Sequence, residues 1–131
     1  MSARELQLTI AGQELALKAT FAASVEIAEK VGDPLLITRE AGLESLLLSK
    51  HIPYDPKWRF TIKNVPVIIW IGVKAAGGTQ TLEQIQDLCF DEGFIGAKEL
   101  AADYLATIVG PAPTSVEPGE PTGEKLTGSP S

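Results

Sequence analysis

Apolar and polar residues change rhythm along this chain, and each rhythm predicts a different element. Leu6, Leu8 and Ile10 alternate with Gln7 and Thr9, and Leu15 and Leu17 resume the alternation after Ala11-Gly12-Gln13. Period two marks a half-buried strand, and Gly12 can take the positive φ of a tight turn, so residues 5–18 predict a β-hairpin. A lone hairpin is marginal in water and must lie on something else. From residue 20 the spacing lengthens. Thr20 is placed to cap a helix over about 21–31. Phe21, Val25 and Ala28 form its apolar face, with Ala22 and Val31 beside it and Glu26, Glu29 and Lys30 pointing outward. Gly32-Asp33-Pro34 closes it.

Leu35, Leu36 and Ile37 come next, then a short helix over Thr38–Lys50 through Leu43, Leu46 and Leu47. Pro53 and Pro56 end it and make Ile52–Pro56 an ordered loop. Residues 64–78, from Asn64 to Gly78, are the most apolar stretch, and membrane span, strand and helix all compete for them. A span needs about 20 apolar residues, whereas ten separate Lys63 from Lys74 and one of these is Pro66. The run Val67, Ile68, Ile69, Ile71, Val73 favours a strand by propensity. The ends favour a helix: Asn64 as N-cap, Pro66 in the first turn, Gly77-Gly78 as the stop. A buried central helix with Trp70 in its core is the expectation.

Thr81 and Gln84 then fit a capping box. Leu82, Ile85, Leu88 and Cys89 make an apolar stripe, while Glu83, Gln86, Asp87 and Asp91 face away; Gly93 ends the helix. A last helix over about 96–109 carries Ala97, Leu100, Ala101, Tyr104, Leu105 and Ile108 at helical spacing. Beyond it, residues 111–131 hold five prolines and three glycines, with Val116 and Leu126 as the large apolar side chains. Such a segment buries too little surface to offset the entropy of ordering and is expected to be disordered. The predicted fold is α+β, mainly α: an N-terminal β-hairpin, a small bundle of four to five helices within a domain over 1–110, and a C-terminal tail.

Composition narrows the function classes. The 131 residues carry a net charge of −6 with a pI near 4.7, which argues against nucleic-acid binding, since phosphate neutralisation needs surplus Lys and Arg. One cysteine, Cys89, excludes an internal disulfide, and with His51 as the one histidine no three-ligand His/Cys metal site can be built. Asp91 and Glu92 are neighbours on a helix and point apart. Gly77-Gly78-Thr79 lacks the lysine of a phosphate loop and follows a helix. No catalytic residue, cofactor or metal is therefore expected. The N-terminus shows no signal-peptide pattern, so a cytoplasmic location without membrane contact is the expectation.

Charge is distributed unevenly. Residues 50–63 carry Lys50, Lys57, Arg59 and Lys63 against Asp55, a net of +3; residues 83–103 carry Glu83, Asp87, Asp91, Glu92, Glu99 and Asp103 against Lys98, a net of −5. These are either two solvated surfaces or the halves of a contact between copies. On charge and exposure, the candidate partner-binding residues are Trp58, Arg59 and Lys63 in the loop and Glu83, Asp87 and Asp91 on the helix over 82–92.

The order of these elements, with certain residues, resembles the tail assembly chaperones of long-tailed phages and gene transfer agents, some of whose relatives are labelled tail tube proteins. The residues that carry the resemblance are the hairpin running into Leu17-Lys18-Ala19-Thr20-Phe21, then Val25 to Gly32. Ile68 to Gly78, Thr81 to Ile85 and Tyr104 to Val109 follow. It covers about residues 5–110, and its motifs are structural. The resemblance implies a non-catalytic protein that binds the tape measure protein, keeps its apolar helices soluble and recruits tail tube subunits. It also implies residence in the host cytoplasm and absence from the mature virion. The alternative is a structural component of the tail, a tube or completion protein.

Overall fold

A computed structural model describes residues 4–111; the expected tail, apart from Pro111, lies outside the described residues. Strands β1 (Arg4–Ile10) and β2 (Gln13–Ala19) pair antiparallel, with Leu6 opposite Leu17 and Leu8 opposite Leu15. The turn is Ala11-Gly12, both at positive φ (50° and 81°), the arrangement whose twist suits a two-residue hairpin. Leu8, Ile10, Leu15, Leu17 and Ala19 are buried against the helices.

Helix α1 (Phe21–Lys30) begins where expected, and the Thr20 hydroxyl accepts the Ala23 N–H at 3.0 Å. Its buried face is the opposite of the one expected. Ala23 and Ile27 are buried, whereas Phe21 is 84% exposed, and Val25 and Ala28 also face solvent. α1 has apolar residues on both sides, and its contact with α3 selects the Ala23–Ile27 side. Glu26, expected outward, lies at the edge of that contact, where its carboxylate accepts Lys74 Nζ of α3 at 2.7 Å and Lys30 Nζ at 2.6 Å.

Helix α2 (Pro34–Ser49) is longer than the Thr38–Lys50 segment expected. Asp33 caps it through the Leu35 N–H (2.9 Å) with Pro34 in the first helical position, so Asp33-Pro34 starts one helix as it follows another. It ends with the His51 N–H on Leu48 O and the Ile52 N–H on Leu47 O, His51 standing at φ 60°. This is a Schellman turn with histidine in the place glycine usually takes.

Residues 64–78 are helical in their larger part: α3 runs Asn64–Ala75 and closes with Gly77 at φ 86°. Its start differs by one residue from the expectation: Asn64 is the first helical residue and Lys63, without a side-chain cap bond, precedes it. Thr61 and Asn64 brace the entry, the Thr61 hydroxyl accepting the Asn64 N–H (3.0 Å) and Asn64 Oδ1 accepting the Thr61 N–H (2.8 Å). Val65, Ile68, Ile69, Ile71 and Val73 are buried, each contributing about 1.5–3 kcal/mol by leaving water. α3 packs on β2, α1, α4 and α5, and apolar surroundings on nearly all sides explain why β-branched residues are accepted in a helix here. Gly72 permits the closest approach: a methyl there would sit 2.8 Å from Leu17 and from Tyr104. Trp70 is half-buried at the edge of the core, with Lys74 Nζ 3.9 Å from its ring centre, and is not the core residue expected. A lysine beside it on the same helix turn and a second, Lys30, at 5.5 Å keep that edge polar.

Helix α4 (Leu82–Glu92) has the full capping box, with Thr81 and Gln84 each accepting the other's backbone N–H. Ile85 and Cys89 are buried, and Leu82 and Leu88 are half-buried, as the stripe predicted. Gly93 turns the chain at φ 95°, and α5 (Phe94–Val109) starts at once, two residues earlier than expected. Ala97, Ala101, Tyr104 and Leu105 of α5 are buried, and the Tyr104 hydroxyl donates to Lys18 O at 2.8 Å. The described residues form an α+β, mainly α fold: one hairpin and five helices, with α3 at the centre.

Candidate functional site

Three surfaces carry the chemistry that this fold presents. The first is the segment over 50–63, an irregular strap between α2 and α3. Its organiser is Glu40 of α2, whose side chain is fully buried. Glu40 Oε1 accepts the Lys57 N–H and the Tyr54 hydroxyl, both at 2.8 Å, and Oε2 accepts Arg39 at 3.2 Å. The Lys57 amide first, and then the Tyr54 hydroxyl, hold the Glu40 carboxyl below its ordinary pKa. The same bond raises Tyr54. A buried carboxylate needs such partners, since charge without them is expensive to desolvate.

The strap also places three of the expected partner-binding residues. Trp58 is half-buried on Gly32, donates its indole N–H to Val31 O at 3.2 Å, and meets Phe60 edge-on at 4.9 Å. A Cβ at position 32 would lie 2.9 Å from that indole nitrogen, so Gly32 makes the seat. Arg59 ion-pairs with Asp55 (3.3 Å) and with Glu44 of α2 (3.5 Å). Lys63 is exposed, and no ion pair is formed by it among the described residues. Trp58 is therefore less open than a loop tryptophan between prolines suggests; its indole binds the strap to α1.

The second surface is the outer face of α4. Glu83, Asp87 and Asp91, the other three expected residues, are all exposed and follow one another at four-residue spacing, so they lie along one side of the helix. Phe90, 75% exposed, stands three residues after Asp87 and seven after Glu83 on that same side. Ile95, 83% exposed, follows just past the Gly93 corner. No hydrogen bond or ion pair joins this face to the strap among the described residues.

The third surface was not anticipated. Phe21 and Val25, expected in the core, stand on the outer side of α1, and Leu35 (69% exposed) opens α2 beyond it. Farther along α2, a groove of about 580 Å³ runs between α2, the strap and α5. Ala41, Glu44, Ser45 and Leu48 of α2, Arg59 and Phe60 of the strap, and Lys98, Glu99 and Ala102 of α5 line it.

Neither Glu40 nor the α1 surface had a usable signal in the sequence. An acid at a helix position between Ile37 and Leu43 reads as a solvated residue, and Tyr54 lies fourteen positions away in a segment with no periodicity. Cys89 is buried, and desolvation pushes its thiol up to about 11, so it stays protonated at neutral pH as a packing residue. Among the described residues, no group of three His, Cys, Asp or Glu is placed to hold a metal ion. Also among them, no helix is long and apolar enough to cross a membrane. No family model matches the chain, and neither a curated protein nor a solved structure matches it.

Proposed function

We propose that this chain is a tail assembly chaperone of a long-tailed phage or gene transfer agent, a non-catalytic protein that works in the host cytoplasm and is absent from the mature virion. It binds the tape measure protein, shields that protein's apolar helices and brings tail tube subunits to it. The observation that carries the reading is the exposed apolar surface of α1 and α2. Phe21, Val25 and Leu35 stand in water on a domain whose core is already closed by α3. Contiguous exposed apolar surface marks a protein-interaction site, and Phe21 and Val25 stand one helical turn apart on α1; the groove between α2 and α5, with Ala41, Ser45 and Ala102 in its lining, offers a second place for an apolar helix to lie. The resemblance of Val25 to Gly32 and of Ile68 to Gly78 to that family points the same way.

The alternative, a structural subunit of the tail, draws less support. A tube ring is built from extended sheet, and the described residues contain one two-stranded sheet. Two measurements test the reading. Co-expression with the tape measure protein of the same particle is expected to yield a complex that survives purification. Mass spectrometry of purified particles is expected to find this chain absent or in trace. A chain that is abundant in the particle and does not retain the tape measure protein contradicts the proposal and supports the structural alternative.

A further inference from the structure

The outer face of α4 and the strap are matched in charge and in apolar anchors, and among the described residues the exposed charges of α4 and the lysines of the strap form no ion pair. On α4, Glu83, Asp87 and Asp91 are exposed around the exposed ring of Phe90, and no ion pair engages any of the three carboxylates among the described residues. On the strap, Lys57 and Lys63 are exposed and equally without ion pairs among the described residues, as is Lys50 at the end of α2. Beside them stand Ile62, 67% exposed, and Ile52, 45% exposed. α4 packs on α3, α5 and β1, whereas the strap is bound to α1 through Val31 and to α2 through Glu40. The two surfaces therefore belong to different parts of the domain.

We propose that copies of this chain associate head to tail, the α4 face of one copy docking on the strap of the next. Charge selects the occupant. A contact of one α4 face with another α4 face would set three carboxylates against three carboxylates, and like charges across an interface repel, so each α4 face must meet a strap. A heterologous contact sets Glu83, Asp87 and Asp91 against Lys57 and Lys63, and lets Phe90 cover Ile62. The overall charge of −6 works against any association, so the contact depends on these local patches and on their screening. This inference goes beyond the chaperone reading and stands or falls without it.

The test is sedimentation of the full chain and of charge-reversed variants, with circular dichroism confirming that each variant keeps its helices. The wild type is expected to associate at low salt and to weaken by about tenfold or more at 1 M salt, where the screening length falls to about 3 Å. Lys57→Glu with Lys63→Glu, and separately Glu83→Lys with Asp87→Lys and Asp91→Lys, are each expected to be monomeric alone. Mixed in equal amounts they are expected to associate again, because the acidic α4 of the first meets the basic strap of the second and the reversed strap of the first meets the reversed α4 of the second. A chain carrying all five reversals is expected to associate again. Phe90→Ala is expected to weaken association at every salt concentration. A wild type that is monomeric at low salt, or a mixture of the two variants that stays monomeric, overturns the proposal.

Discussion

Helix α3 and the strap that leads into it are neighbours in sequence and are held in opposite ways. α3 is fixed by burial: Ile68, Ile69, Ile71 and Val73 lose nearly all contact with water, and Gly72 lets β2 and α5 close on the helix. The strap has no regular structure and is held largely by polar bonds, those of the Lys57 amide and the Tyr54 hydroxyl meeting on the buried carboxylate of Glu40 and that of Trp58 on Val31 O. Burial is non-directional and does not depend on pH. A buried anion with two donors on one oxygen is directional and titrates. The difference teaches that this domain has a centre held by burial and an attached segment in which a single acid supplies part of the hold.

The largest effect is expected at the centre. Ile68→Ala removes fully buried methyl groups, and a loss of about 2–5 kcal/mol is expected in urea unfolding. That loss should be the same at pH 7 and at pH 4. A smaller loss, about 1–3 kcal/mol, is expected for Gly72→Ala, because its methyl must push aside Leu17 or Tyr104, both themselves packed. A neutral Gly72→Ala in the same unfolding experiment would show that the contact between α3, β2 and α5 is looser than described.

Glu40 sharpens the comparison further. Its carboxyl pKa is lowered in the folded chain, so its contribution is fully present above the ordinary value of 4.5 and is lost as pH falls through the folded value. Glu40→Gln is expected to destabilise at pH 7, and the gap from wild type is expected to shrink as pH drops below 4.5. Tyr54 acts at the other end. Its pKa is raised by the bond to Glu40, so the stability it contributes is present below the ordinary value of 10 and is lost as pH rises beyond it. Thermal unfolding of wild type and Glu40→Gln across pH, read with Trp58 and Trp70 fluorescence, checks both. A gap that stays constant with pH would place the effect in packing. The smallest effects belong to the outer faces: Phe21→Ser with Val25→Ser, or Asp87→Lys, should change stability by no more than about 0.5 kcal/mol.

The sequence was legible where local chemistry and packing agree. Thr20, the Thr81–Gln84 box and Gly93 announced helix ends through their own backbone bonds, and the alternation in residues 5–18 fixed which side of the hairpin is buried. It was misleading where apolar residues exceed what the core can hold. α1 offers Phe21 and Val25 on one side and Ala23 and Ile27 on the other, and a contact with α3, distant in sequence, chooses between them. α2 was expected four residues short at its start, because Asp33-Pro34 reads as the close of α1 and also caps and opens the next helix. Of the six expected binding residues, Glu83, Asp87, Asp91, Arg59 and Lys63 stand exposed, as their charge suggests. Trp58 is half-buried because Gly32 and Val31 O, more than twenty residues earlier, provide its seat.

The proposed function requires the outer side of α1 and α2 to meet apolar helices of the tape measure protein. Co-expression of that protein with wild-type chain and with the Phe21→Ser, Val25→Ser variant, followed by measurement of its soluble fraction, tests this directly. The wild type is expected to keep the tape measure protein in solution, and the folded variant to leave most of it in the pellet. Equal solubility with both chains would contradict the surface assignment, and no gain in solubility from the wild type would contradict the chaperone reading itself.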